Sequence, residues 1–306
     1  MKPLVAIIGP TAVGKSRLAL HLARLFDGEI VGADSRQVYR HMDIGTAKPP
    51  AEELSLVPHH LINVVNPDED FSLAQYQSLT GKVIRDIQRR NKLALLVGGS
   101  GMYIWSVLEG WGIPEVPPDH EFRRSLEERA GELGGGELHK DLAKIDPLAA
   151  QRIDPRNVRR TIRALEVHKA TRMPPSRFQR RKEPAYNAII IGLTAERADL
   201  YTWIDRRVNE MVAKGLVNEV KRLVQMGYDF SLPAMSGIGY EEIGMHIRGE
   251  LALATAVQQI KFETHRFVRH QYSWFRLLDD RIKWYDVQNG DGSEITALIE
   301  EFVKRG

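Results

Sequence analysis

Residues 4–16, LVAIIGPTAVGKS, decide how the whole chain is read. Leu4 to Ile8 form an unbroken apolar run, the pattern of a short buried strand. Gly9 to Ser16 then fit the spacing GxxxxGKS, and Arg17 to Asp27 continue as a helix. Strand, glycine loop and helix, in that order, are the setting a phosphate-binding P-loop requires. Gly9 and Gly14 let the backbone bend so that successive N–H groups face one point, and the first helical turn adds unpaired N–H groups and a positive dipole end. The candidate cradle is therefore Gly9, Pro10, Thr11, Ala12, Val13, Gly14, Lys15 and Ser16. Lys15 brings a full charge to the phosphates, and the Ser16 hydroxyl is a candidate Mg²⁺ ligand. The loop alone does not say which phosphate ester it holds.

Composition narrows the chemistry. The 306 residues suit one large domain or two smaller ones, and a hydrophobic fraction of 43% is ample for a core. Cysteine is absent, which excludes disulfides, thiolate metal sites and cysteine nucleophiles and fits a reducing compartment. No HExxH pair occurs, which argues against a zinc hydrolase. The start of the chain does not read as a signal peptide, and no stretch reaches the roughly 18 apolar residues of a membrane span. A cytoplasmic protein with no membrane partner is expected. Net charge is only +3, yet residues 156–182 hold ten Lys or Arg against a single acid, Glu166. Such a block suits a polyanion partner and equally a solvated helix face.

Glu29 to Ala33 read as a second strand with Asp34 at its carboxyl end, where open α/β sheets bind ligands. Residues 34–50 read as a polar loop, 71–91 as an amphipathic helix, and Leu93 to Val97 as a third strand that runs into Gly98-Gly99-Ser100-Gly101. Pro114, Pro117 and Pro118 mark a boundary, after which residues 119–171 are helical in pattern throughout. Asp146-Pro147 and Asp154-Pro155 each resemble an N-cap followed by proline at the first helical position. Ala188 to Leu193 read as a strand that rejoins the sheet, followed by helices over 199–226 and 251–276, a strand at 283–287 and a last helix. The expected fold class is α/β: a P-loop NTPase-like parallel sheet core (1–113 and 187–306) with an all-helical insertion (114–186) and a helical C-terminal extension.

P-loop proteins that use nucleotide as fuel carry an acid at the end of a second apolar strand to hold Mg²⁺. Here LALLV ends in GGSG, with no Asp or Glu following, so a motor ATPase or helicase is disfavoured. A small-molecule kinase stays open at this point, with Asp34 as base, and a lone strand-end aspartate is also an ordinary turn residue.

Six stretches in order then carry a specific resemblance: GPTAVGKS (9–16), DSRQVYRHMDIGTAKP (34–49), VPHHLI (57–62), LVGGSGMYI (96–104), RRTIRALEV (159–167) and RHQYSWFR (269–276). Together they resemble the tRNA dimethylallyltransferase family. The resemblance implies transfer of a dimethylallyl group from dimethylallyl diphosphate to the exocyclic amine of the adenosine on the 3′ side of the anticodon. It implies a P-loop that holds a leaving diphosphate with Mg²⁺, where nucleotide- or ATP-binding would ordinarily be expected. By resemblance Asp34 is the base, Lys15, Ser100 and Arg207 serve the reaction, and Arg206 competes with Arg207 for the diphosphate. The same resemblance gives tRNA contacts to Asp34, Ser35, Arg36, Gln37, Ser100, Arg123, Arg159, Arg160, Thr161, Ile162 and Arg163. The Thr11 hydroxyl can touch the diphosphate, and the Gln37 amide suits an adenine edge. On a helix, Arg159 and Arg163 share a face, as do Arg156 and Arg160, a ladder suited to phosphates or splayed bases. His59 and His60 are read as structural.

Two positions depart from the family pattern. Ser100 stands where threonine is usual and keeps the hydroxyl, and Arg269-His270-Gln271 replaces a Lys-Arg-Gln, weakening a charge contact at neutral pH. The aspartate-rich pairs of other prenyltransferases are missing, since Asp279-Asp280 stand alone. The expected partners are the tRNA anticodon stem-loop and the prenyl donor, bound by a monomer. The alternatives are prenyl transfer to a free adenine nucleotide, or an RNA-binding P-loop protein without chemistry.

Overall fold

The computed structural model describes residues 3–178, 186–290 and 292–305. It divides into two compact units, one made of residues 1–108 and 184–306, the other of 109–183. Of the basic block, residues 179–182 lie outside the described residues.

The first unit opens with β1 (Pro3–Ile8), α1 (Lys15–Leu25) and β2 (Gly28–Ala33). A short α2 (Ala51–Leu56) follows the 34–50 loop, and β3 is only His59–His60. Then come α3 (Leu73–Arg89), β4 (Leu93–Gly98) and α4 (Gly101–Leu108). Ser72 and Gln75 close a reciprocal capping box that fixes where α3 begins. The six described strands form one parallel sheet in the order β3-β2-β4-β1-β5-β6, where β5 is Asn187–Thr194 and β6 is Ile282–Asp286. The central strands β1, β2 and β4 are almost wholly buried because helices cover such a sheet on its faces. Register aligns the carboxyl ends: Ile8 lies opposite both Gly98 and Gly192, and Ala33 opposite Gly98. The P-loop, Asp34 and the GGSG loop therefore leave the sheet along one rim, from β1 and from the two strands on one side of it, β4 and β2.

The unpaired edge at β3 is stabilised by a carboxylate. Buried Glu29 accepts from His60 Nε2 at 2.7 Å and from Arg90 Nη2 at 2.8 Å, and the hydrogen bond from Arg90 holds its carboxyl down at about 2. His59 bonds the Val57 carbonyl. Both histidines are structural, as expected.

After β5 the first unit is completed by α9 (Arg197–Ala213), α10 (Leu216–Gln225), α11 (Tyr240–Ile247), α12 (Leu253–Trp274) and α13 (Ser293–Arg305), with β6 between the last two. These helices stand after α5 to α8 in the chain, which form the second unit. That unit contains α5 (His120–Leu133), α6 (Gly135–Ile145), α7 (Pro147–Arg152) and α8 (Val158–Thr171), followed by a 3₁₀ turn at Pro175–Arg177. Its core gathers Leu126, Leu138, Leu142, Ile162 and Leu165.

Asp146 caps α7 as read, accepting from Ala149 N at 3.0 Å with Pro147 at the first helical position. Asp154 does not cap α8. Asn157 does, accepting from Arg160 N at 3.1 Å, while Asp154 pairs with Arg156 at 2.8 Å. Arg156 thus precedes the helix, and the expected Arg156–Arg160 rung is absent.

Glu166 anchors this unit at 1% exposure. It accepts from Arg123 Nε and Nη2, each at 2.8 Å, from Asp119 N at 2.7 Å, and from Arg163. Burial alone would raise its pKa, and the Arg123 guanidinium, the Asp119 amide and Arg163 outweigh that and hold it below the usual carboxylate value. Glu166→Ala is expected to destabilise the protein by about 2–3 kcal/mol, since it strands two guanidiniums that solvent partly rescues; urea unfolding at pH 7 measures this. The sign with pH is fixed by the lowered value: the contribution is complete above the ordinary carboxylate range and is lost as pH falls through the depressed folded value.

Candidate active site

The cradle is shaped by glycine at both ends. Gly9 has φ +143°, and a Cβ there would stand 2.4 Å from the Leu193 carbonyl oxygen of β5. Gly14 sits at φ +96° as the residue before α1, with no side chain covering the helix N-terminus. Ala12 also adopts a left-handed φ of 69°. The loop therefore wraps tightly around a point in front of α1, where an anion finds backbone donors and a dipole end.

Lys15 Nζ donates to the Pro10 carbonyl at 2.7 Å, across the mouth of its own loop. Burial first, and then the neighbouring Arg207 charge, lower the Lys15 ammonium while Asp34 pulls it back up, and together they hold it at about 7. Arg207, on α9, is likewise lowered by burial and raised by Asp34 and Glu210. Two desolvated cations thus share the Asp34 carboxylate, with Glu210 acting on Arg207 alone, a setting that favours an oligoanion beside them. Arg206 and Arg207 both line a cavity of about 490 Å³ beside Ala12, Val13 and Gly14. Only Arg207 acts on Lys15. Arg206 is exposed and reaches Glu210 at 3.8 Å.

Asp34 emerges from β2 into a tight turn, its Oδ1 accepting from Arg36 N at 2.8 Å and Gln37 N at 3.4 Å. That leaves Oδ2 with no hydrogen bond among the described residues. Ser100, between β4 and α4, bonds the next residue, Ser35: its Oγ accepts from Ser35 N at 3.1 Å. Its own N–H donates to the Ala33 carbonyl at 3.2 Å. The cradle, the GGSG loop and the Asp34 turn are brought together on one rim.

Several expected contacts are used otherwise. The Thr11 N–H and hydroxyl both donate to Gln271 Oε1, at 2.9 and 3.3 Å, so the hydroxyl is turned to α12. Arg36 Nη1 donates to the carbonyls of Pro233 and Ala234, at 2.9 and 3.3 Å. Gln37 Nε2 donates to the carbonyls of Thr46 and Ala47, at 3.1 and 3.3 Å, so its donor end is taken. In the second unit Thr161 and Ile162 are 0% and 3% exposed, so neither side chain, expected at the RNA, is at the surface. Arg123 and Arg163 are committed to Glu166. Arg159 and Arg160 are exposed on α8.

Two buried polar groups escaped the sequence reading. Gln271, noted only for its basic neighbours, lies on the buried stripe of α12 with Ala256, Ile260 and Val268. An amide on an apolar stripe was the available signal, because such a group must find partners. Glu219, on α10, accepts from the backbone N–H groups of Asp43, Ile44 and Gly45, at 3.0, 2.8 and 3.1 Å, and fixes the loop that follows Asp34. Tyr240 OH also donates to it, at 2.7 Å.

Among the described residues no group of three or more His, Asp or Glu could hold a metal ion. Ser16 is exposed in the first turn of α1. A Mg²⁺ brought by a bound phosphate ester would find one protein hydroxyl here, that of Ser16. Among the described residues no helix is long and apolar enough to cross a membrane.

Comparison with known proteins agrees with this geometry. The IPP transferase family model matches residues 37–277. A tRNA dimethylallyltransferase of Roseiflexus castenholzii is 55% identical over 91% of each chain. One from Dehalococcoides mccartyi is 46% identical over 100% of this chain and 94% of its own. The crystal structure of a tRNA isopentenylpyrophosphate transferase of Bacillus halodurans superposes with a TM-score of 0.74 at 39% identity, covering 100% of this chain and 98% of that one. The sequence resemblance is upheld along the length of the molecule, and this chain, with its P-loop facing a strand-end carboxylate, belongs to the IPP transferase family.

Proposed function

We propose that the protein transfers a dimethylallyl group from dimethylallyl diphosphate to the exocyclic amine of the adenosine 3′ to the tRNA anticodon, releasing diphosphate. The observation that carries this reading is the pairing of two desolvated cations, Lys15 and Arg207, with the Asp34 carboxylate on the rim beside a P-loop. Its relatives from Roseiflexus and Dehalococcoides are named tRNA dimethylallyltransferase, which supports the reading.

In the reaction the allylic C–O bond breaks with its electron pair kept on the diphosphate, and a C–N bond forms to the adenine amine. Negative charge grows on the leaving oxygens, where Lys15, Arg207 and the loop N–H groups stabilise it. Ser16 would hold a Mg²⁺ through its hydroxyl, and that ion would supply further neutralisation of the leaving group's charge. The amine proton passes to Asp34 Oδ2, whose partner oxygen is fixed by the Arg36 and Gln37 amides. The target base must leave its stack to reach this rim. Ser100 keeps the Asp34 turn in place through Ser35. The exposed Arg159 and Arg160 bind the tRNA backbone.

The test is incubation with labelled dimethylallyl diphosphate and Mg²⁺, with either unmodified tRNA or AMP. Label in tRNA supports the reading; label in AMP alone defeats it in favour of a free-nucleotide enzyme. Arg159→Ala with Arg160→Ala is expected to weaken tRNA binding and to flatten the slope of log K against log salt by about 1 to 2. Filter binding across a salt series reads this, and an unchanged slope would return both side chains to the solvent.

A further inference from the structure

Gln271 occupies a place where α12 otherwise buries hydrocarbon, and it is 3% exposed. A primary amide there needs an acceptor at one end and a donor at the other. It has both. Oε1 accepts from Thr11 N at 2.9 Å and from the Thr11 hydroxyl at 3.3 Å, and Nε2 donates to the Gly99 carbonyl at 3.0 Å. One side chain therefore ties the cradle after β1 to the GGSG loop after β4. The two strands pair only as far as Ile8 and Gly98. Past that pair the loops diverge from the ladder, and the Gln271 amide spans the gap.

The link continues toward the carboxylate. Ser100 Oγ accepts from Ser35 N at 3.1 Å, next to Asp34 in the same turn. A Cβ on Gly99 would lie 2.3 Å from Gln271 Nε2, so the bare backbone of Gly99 is what lets the amide approach.

We propose that Gln271 is a positioning residue for the transfer reaction: it sets the spacing between the leaving-group cradle and the carboxylate that takes the amine proton, touching neither substrate. The proposal rests on the function proposed above. Gln271→Glu is isosteric. It keeps an acceptor for Thr11 and turns the end facing the Gly99 carbonyl from donor to acceptor, so it repels the loop it should hold. Gly99→Ala displaces the same contact from the opposite side. Gln271→Leu removes both bonds.

The experiment measures single-turnover transfer at saturating donor and tRNA, donor affinity, tRNA affinity and thermal melting, for the parent and all three variants. A 1 Å error in placing reacting groups costs about 10²-fold in rate, and that loss is expected for folded Gln271→Glu and Gly99→Ala, with donor and tRNA affinities within about threefold of the parent. A rate within about twofold of the parent in folded Gln271→Glu overturns the proposal. So does a loss of rate matched by an equal loss of donor affinity, which would make Gln271 part of the cradle itself. If every variant melts below the assay temperature, Gln271 is a core strut and the proposal falls. A parent that labels no tRNA defeats the proposed function as well, whereas an active parent with equally active variants defeats the Gln271 inference alone.

Discussion

Asp34→Asn is expected to cut the rate of transfer by about 10²–10⁴-fold, the usual worth of a positioned general base, while tRNA affinity stays near the parent value. Asparagine keeps the size of the side chain and an oxygen for the Arg36 and Gln37 amides, so the turn after β2 survives. What it loses is the lone pair that takes the amine proton. It also removes the one negative charge that raises both Lys15 and Arg207. Lys15 in this variant should therefore shed its proton at lower pH, and donor binding should weaken first on the alkaline side. Comparing single turnovers near pH 6.5, at saturating donor, isolates the missing base from this second effect. A variant as fast as the parent under those conditions would remove Asp34 from the proton transfer.

Lys15→Met should lower kcat/KM by about 10³-fold, more than the loss of a single neutral donor, because a full charge is removed from beside the breaking bond. The parent should show the same group by proton linkage. Lys15 is held down at about 7 in the unliganded protein by burial and by Arg207. A bound diphosphate favours the charged ammonium and raises it. Below pH 7 Lys15 is already protonated and this group adds no pH dependence to binding. Above pH 7 the donor must bring a proton with it, and affinity falls by up to about tenfold per pH unit. Calorimetry at pH 8 in two buffers of different ionisation enthalpy should register uptake of about one proton per donor bound. No uptake at that pH, or uptake retained in Lys15→Met, would place the titrating group elsewhere.

The centre of the molecule was legible in the sequence because its signals are local. An apolar run, two glycines and a Lys-Ser pair specify β1, the loop and α1 through backbone geometry alone. Asp34 could be placed because strand ends in a parallel sheet share one rim. The choice between Arg206 and Arg207 needed the fold, though its trace is in the sequence: Leu200, Ile204 and Val208 form the buried stripe of α9, and Arg207 lies three residues past Ile204 on that side. The arginines of the second unit were harder. Spacing suggested a ladder, but the partners that claim Arg123 and Arg163 meet only in the folded unit, and α8 is capped by Asn157 and not by Asp154. The helix α11 carries glycine within YEEIGMHI, a weak helix signal, and it stands because Tyr240 is buried against Glu219 and Gly45.

Because all six described strands point the same way, Lys15, Asp34 and Ser100 all follow strand ends at one rim of the sheet. Pro3, the first residue of β1, lies at the opposite rim, six residues of strand or roughly 20 Å from the start of the cradle. A surface tether or a fluorophore fixed ahead of Pro3 would leave donor and RNA free to enter. Immobilised assays of this enzyme should be built from that end.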